Sequence, residues 1–243
     1  MDAGPERGVS AIDGGGGSSQ DGGALAGFKQ FPDDTPEHKA ANQAQGEELL
    51  RMVQEASGET TVVAEDLGVV PDYVAPTLQE LGLPGFRIPT LFREHDGRYS
   101  DPKQYPRLSL AQPATHDHPP LAAAWAECWQ NIDAGKDVEN SRRELRLMME
   151  FAGLNNSEPP REFTEQLHEA FTRAVMQSPS WLVVFQITDV FGMTARFNTP
   201  GSVAATNWSY RLPHTVKELD EDPVLLGQTQ MFSRLAQESG RVA

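Results

Sequence analysis

Four short apolar runs, each bounded by glycine, proline or polar residues, set the limits on what this chain can fold into. They are Thr60 to Glu65, Gly85 to Leu91, Leu108 to the His116-Asp117 pair, and Trp181 to Ile187. Near-continuous hydrophobicity of this length marks strands buried on both faces, the condition of strands in a parallel sheet. The stretches between them carry apolar residues at helical spacing. Asp34-Thr35-Pro36-Glu37 starts a helix that Leu49, Met52, Val53 and Ala56 continue until Gly58. Val74, Leu78 and Leu81 mark a short second helix ended by Gly82, and Leu121, Trp125 and Trp129 mark a third. Further helical patterns lie around Leu145 to Phe151, Phe163 to Val175 and Val224 to Leu235. Strands alternating with helices predict an α/β fold with a covered parallel sheet. Four strands are half of what a complete (β/α)8 barrel needs.

Two of the runs end in acids, Glu65-Asp66 and His116-Asp117. In parallel sheets and barrels, chemistry collects at the C-terminal strand ends, where loops are free to carry polar groups. Glu65 and Asp117 are therefore the expected centre of a site. Other readings of the same residues stand beside this one. Glu65 could cap the loop that follows it, and Asp117 could be the N-cap of the helix that Pro119-Pro120 announces. His116 and His118, two apart on an extended segment, could bind a metal with Asp117 or Glu65, as in a metal-dependent hydrolase. Trp125 and Trp129 have the spacing of a buried helical stripe and Trp181 opens an apolar run, which leaves Trp208 as the expected exposed ring.

Charge and cysteine usage narrow the partners. A formal net charge of −15 argues against nucleic acid or an anionic membrane as the main partner and favours a neutral ligand. The single cysteine, Cys128, excludes an internal disulfide framework and points to a reducing, cytoplasmic setting. No basic segment followed by an apolar one opens the sequence, and no eighteen consecutive residues are apolar, so neither export nor a membrane span is expected. Residues 1–27, rich in Gly, Ser and Asp, are expected to be disordered. The ordered domain is expected over residues 28–243.

Several ordered motifs resemble the amylomaltases, the 4-α-glucanotransferase or disproportionating family. They are Val63-Ala64-Glu65-Asp66-Leu67-Gly68, Leu81-Gly82-Leu83-Pro84-Gly85-Phe86-Arg87-Ile88-Pro89, and Ala114-Thr115-His116-Asp117-His118-Pro119-Pro120. Gln186-Ile187-Thr188-Asp189, Asn198-Thr199-Pro200-Gly201-Ser202 and Asn207-Trp208 with Arg211-Leu212-Pro213 continue the resemblance. It implies the C-terminal half of a (β/α)8 TIM barrel with extra helices. It implies transfer of α-1,4-glucan segments between malto-oligosaccharides by a retaining mechanism, with no metal or organic cofactor.

By position in the motifs, Glu65 corresponds to the family's general acid/base and Asp117 to the carboxylate that fixes and distorts the reacting sugar. His116 and Asn198 correspond to sugar-binding residues. The family's nucleophile is an aspartate in an Arg-x-Asp motif, and no Arg-x-Asp occurs in this sequence. The chain is thus expected to be inactive alone, whether a partial enzyme or an inactive glucan-binding fragment. It is also expected to need the missing barrel half or to self-associate.

Overall fold

Residues 29–155 and 157–242 are described by the computed structural model. The expectation of disorder over residues 1–27 lies outside them. The chain divides after Gly46 into two compact units. In the first, Asn42 ties down the approach to helix α1 (Pro36–Ser57): its Nδ2 donates to the Phe31 carbonyl at 2.7 Å, and its Oδ1 accepts from the Phe31 N–H at 2.9 Å.

The second unit carries the sheet. Helix α2 (Val74–Glu80) leads into strand β1 (Gly85–Arg87), and strand β2 (Ser109–Ala111) follows. Helices α3 (Leu121–Asp133), α4 (Val138–Phe151) and α5 (Glu165–Met176) come next, then strand β3 (Leu182–Val183). The short α6 (Ile187–Val190), α7 (Val216–Glu221) and α8 (Pro223–Glu238) complete it. The strands run parallel in the order β1-β2-β3, with Phe86 opposite Leu110 and Leu110 opposite Leu182. A parallel sheet with helices in its connections is the architecture expected from the alternating pattern.

The first apolar run departs from expectation. Thr60 to Glu65 is not a buried strand: it touches the sheet through one parallel bridge, Ala64 to Gly85, with the Ala64 N–H donating to the Pro84 carbonyl at 2.9 Å. Thr60, Thr61 and Glu65 are exposed and Val62 to Ala64 only half-buried. The fourth run departs too, since Trp181 is 52% exposed and Leu182, Val184 and Ile187 are each more than a third exposed. Trp181 therefore does not belong to the core. Both departures have one physical cause: these segments are the two edges of the described sheet, and no further described strand covers them.

The core lies where helices back the middle of the sheet. Trp125, Leu145, Met148, Leu167, Phe171 and Val175 pack with Ala111 of β2, all at 2% exposure or less. Burying each of the larger side chains contributes about 1.5–3 kcal/mol. The Trp125 and Trp129 indoles, one helical turn apart on α3, both donate to the Pro160 carbonyl, at 3.2 and 3.0 Å. The acidic stretch at residues 218–222 supplies helix caps. Glu218 forms a reciprocal capping box with Thr215 at the start of α7, and Asp222 caps α8 through the Val224 and Leu225 N–H groups. Among the described residues no helix is long and apolar enough to cross a membrane.

Candidate active site

The parallel bridge at Ala64 and the parallel strands β2 and β3 bring Glu65 and the residues after β2 and β3 to the same, C-terminal, end of the sheet. There, a cavity of about 370 Å³ is walled by Glu65, His116, Gln112, Thr115 and Gln186, with Phe86, Phe185 and Phe197 among its apolar lining. Beside the Glu65 carboxylate, amides, a hydroxyl, an imidazole and rings line it, and no described Lys or Arg does. That chemistry suits a neutral polyhydroxy ligand better than an anion, because amides and hydroxyls match its donors and acceptors while rings pack on its CH faces. Glu65 stands exposed at this wall and not in the apolar surroundings its run suggested.

The next residue behaves in the opposite way. Asp66 is buried, accepts from the Phe86 N–H at 2.6 Å and pairs with the Arg87 guanidinium at 3.2 Å. Gly85 makes room for it, since a Cβ there would lie 2.6 Å from an Asp66 oxygen. The adjacent acids thus divide the work: Asp66 locks the segment to β1, and Glu65 is left facing the cavity.

Asp117 does not line that cavity. It sits beside it, with His116 Nε2 3.5 Å from its Oδ1 and Asn198 Nδ2 donating to the same oxygen at 2.5 Å. Arg196 donates to the Asp117 carbonyl at 3.0 Å. The exposed Trp208 ring lies 5.1 Å from the His116 ring, centre to centre. Trp208 holds φ at 61°, a left-handed conformation that costs a bulky residue about 1–3 kcal/mol, and its N–H is fixed to the Phe197 carbonyl at 2.7 Å. The fold therefore brings Asp117, His116 and Asn198 together, and places His116 on the cavity that Glu65 also lines.

His118 turns away to Thr115, with Nδ1 2.7 Å from the threonine Oγ1. Burial pulls its pKa below the usual histidine range, against the opposing pull of Asp117. This arrangement does not favour a metal held by His116 and His118, and among the described residues no three His, Cys, Asp or Glu side chains are grouped to bind one.

Sequence reasoning missed Arg196, Gln112, the Asp66 and Arg87 pair, and the three phenylalanines. Asp66 stood beside Glu65 at the end of the first run and Phe86-Arg87 stood in a quoted motif, but nothing local paired them, and Arg196 left a signal of its own. It stands two residues before Asn198, the spacing at which an extended segment puts two side chains on one face.

Residues 24–217 match a family model described as 4-alpha-glucanotransferase. The 4-alpha-glucanotransferase of Thermus thermophilus is 30% identical over 175 residues, 70% of this chain and 32% of that protein. The one of Chlamydia trachomatis serovar D is 29% identical over 191 residues, 72% of this chain and 32% of that protein. For 4-alpha-glucanotransferase DPE2 of Oryza sativa subsp. japonica the figures are 28% over 175 residues, 68% and 17%. Among solved structures, amylomaltase from Streptococcus agalactiae in complex with acarbose aligns with a TM-score of 0.58 and 21% identity, over 82% of this chain and 35% of that one. Amylomaltase from Corynebacterium glutamicum gives 0.59 and 20%, over 80% and 31%. The chain spans about a third of the length of most of these proteins and about a sixth of the rice protein.

Proposed function

This chain belongs to the 4-alpha-glucanotransferase family, and we propose that it carries the acid/base and sugar-binding part of a site that transfers α-1,4-glucan segments between malto-oligosaccharides. The observation that carries this reading is the meeting of Glu65 and His116 on one cavity at the C-terminal end of a parallel sheet, with Asp117 held beside them by Asn198. Glu65 would be the general acid that protonates the departing glycosidic oxygen and, as carboxylate, the base that activates the acceptor hydroxyl. Its exposure at the cavity wall leaves it free to reach a bound sugar. Asp117, oriented by Asn198 and by Arg196 at its backbone, would hold hydroxyls of the reacting sugar more tightly as positive charge develops on the ring. His116 and Asn198 complete the sugar contacts.

Retention of configuration needs a second carboxyl as nucleophile, about 5–5.5 Å from the acid. The family supplies it in an Arg-x-Asp motif that this sequence lacks, so the reading includes inactivity of the chain on its own. The fold is accordingly read as the C-terminal half of a (β/α)8 barrel. Its edges at Ala64 and β3 would be where a complementary barrel half, or a second copy, adds strands. A reducing, cytoplasmic setting fits the single cysteine.

Calorimetry with acarbose tests the site. Binding is expected, weakened about tenfold by His116→Ala and by Glu65→Gln, each the loss of one or two hydrogen bonds to a sugar. Incubation of the purified chain with maltotriose is expected to yield no longer or shorter oligomers. Absence of acarbose binding at saturating concentration overturns the reading, and rapid disproportionation overturns the inactivity.

A further inference from the structure

The loop that presents His116 and Asp117 runs from Thr115 to Leu121, and one segment just beyond β3 holds both of its ends. Gln186 Nε2 donates to the Thr115 carbonyl at 3.0 Å, and the Leu121 N–H donates to Asp189 Oδ1 at 2.8 Å. Resting on the glucan-site reading above, we infer that Gln186 and Asp189 are positioning residues, a two-point clamp that fixes the 115–121 loop and, through it, His116 and Asp117 at the cavity.

The loop needs an outside partner because its own sequence provides few. Pro119 and Pro120 have no N–H to donate, and Pro120, the N-cap of α3, has no side-chain acceptor for the first helical N–H groups. Inside the loop, the Asp117 and His118 N–H groups reach only Thr115, through its Oγ1 at 3.2 Å and its carbonyl at 3.0 Å. Thr115 is thus the inner anchor of the turn, and Gln186 anchors Thr115. Asp189 closes the other end by capping α3 from a different element.

The clamp itself is rigid. Asp189 is 2% exposed and Thr188 is fully buried. The Asp189 carbonyl faces His168 Nε2 of α5 at 2.7 Å, so α6 is bonded to the helical layer behind it. Among the described residues Asp189 Oδ2 has no hydrogen-bond partner. Burying a carboxylate with so few hydrogen bonds is costly, and the bond it accepts from the Leu121 N–H is the one that sets where α3 begins. Arg196 and Asn198, both half-buried, hold Asp117. A clamp at both ends and two polar contacts on Asp117 leave the loop, in which only His116 is exposed, one arrangement.

The test uses the whole chain with Gln186→Ala, Asp189→Ala and Asp189→Asn, the last keeping an acceptor for the Leu121 N–H. Amide hydrogen exchange is read at residues 116–118 and 121 and compared with Leu110, which sits between both neighbouring strands. Acarbose binding is measured alongside. Both alanine variants are expected to raise exchange in the loop about tenfold relative to Leu110 and to weaken acarbose by a similar factor, while Asp189→Asn is expected to exchange in the loop no faster than wild type and to bind acarbose as wild type does. If loop exchange rises only in step with Leu110, or if asparagine fails to rescue, the residues act on global stability alone and the clamp is overturned. If the wild type binds no acarbose, the glucan reading falls, and the exchange ratios still decide the clamp. Gln186→Ala, at a half-buried position, keeps the test open should Asp189→Ala fail to fold.

Discussion

Replacing Asp189 with asparagine should change how stability depends on pH more than it changes the fold. Burial pushes the Asp189 carboxyl up to about 6, opposed by the hydrogen bonds from the Leu121 and Gln186 backbone, where a free aspartate titrates at 3.8. A folded-state pKa raised in this way means that the native state holds the proton more tightly than the unfolded chain does. The stabilisation is then complete below pH 4 and is lost as pH rises through about 6. The difference amounts to about 3 kcal/mol between the two ends of that window.

His168, packed behind Asp189, has the opposite tendency. Burial lowers its pKa, so it destabilises the native state as pH falls below the ordinary histidine range. A wild-type profile alone would mix the two. The informative quantity is the stability of Asp189→Asn minus that of wild type, from urea unfolding between pH 4 and 7, since His168 contributes to both proteins. Asparagine retains the oxygen that caps Leu121 and carries no charge. The difference should be near zero at pH 4 and grow to about 3 kcal/mol in favour of the variant at pH 7. A difference flat across this range would refute the claim that ionised Asp189 sits in a costly site.

The neighbouring acids at the first strand end should separate cleanly. Asp66→Ala leaves the buried Arg87 unpaired and should cost about 3–5 kcal/mol in urea unfolding, while Glu65→Gln, at an exposed position, should stay within about 0.5 kcal/mol. Gly85→Ala forces a methyl group against the Asp66 carboxylate and should destabilise by about 1–3 kcal/mol, an effect largely absent in an Asp66→Ala background. In a chain complemented to activity, Glu65→Gln should abolish turnover of maltotriose but spare a glycosyl fluoride, whose leaving group needs no proton; equal loss on both substrates would reject Glu65 as the acid.

The sequence by itself determined the kinds of elements and their order. Helical spacing located α3, α4, α5 and α8, and the apolar runs located β1, β2 and β3, because periodicity follows from which faces meet the core. It also singled out Glu65, His116, Asp117 and Asn198, since acids at strand ends and ordered motifs are local signals. What it could not supply was the neighbour on the far side of each element. Thr60 to Ala64 and Trp181 to Ile187 read like the middle strands, yet the first meets the sheet's edge through one bridge and the second gives only the two-residue edge strand β3 before Ile187 opens α6, because an apolar run has the same composition whether one or both sides are paired.

Tertiary structure alone decided that Asp66 turns inward to Arg87 while Glu65 turns outward, a division no spacing encodes. It alone set Asn198 on Asp117, 81 residues away, and Gln186 and Asp189 on the loop between Thr115 and Leu121, across 71 and 68 residues. Hydrogen bonds of that separation depend on how β2 and β3 pair and where α6 docks. The residues that would do chemistry are therefore legible in one dimension, and the groups that aim them exist only once the sheet has formed.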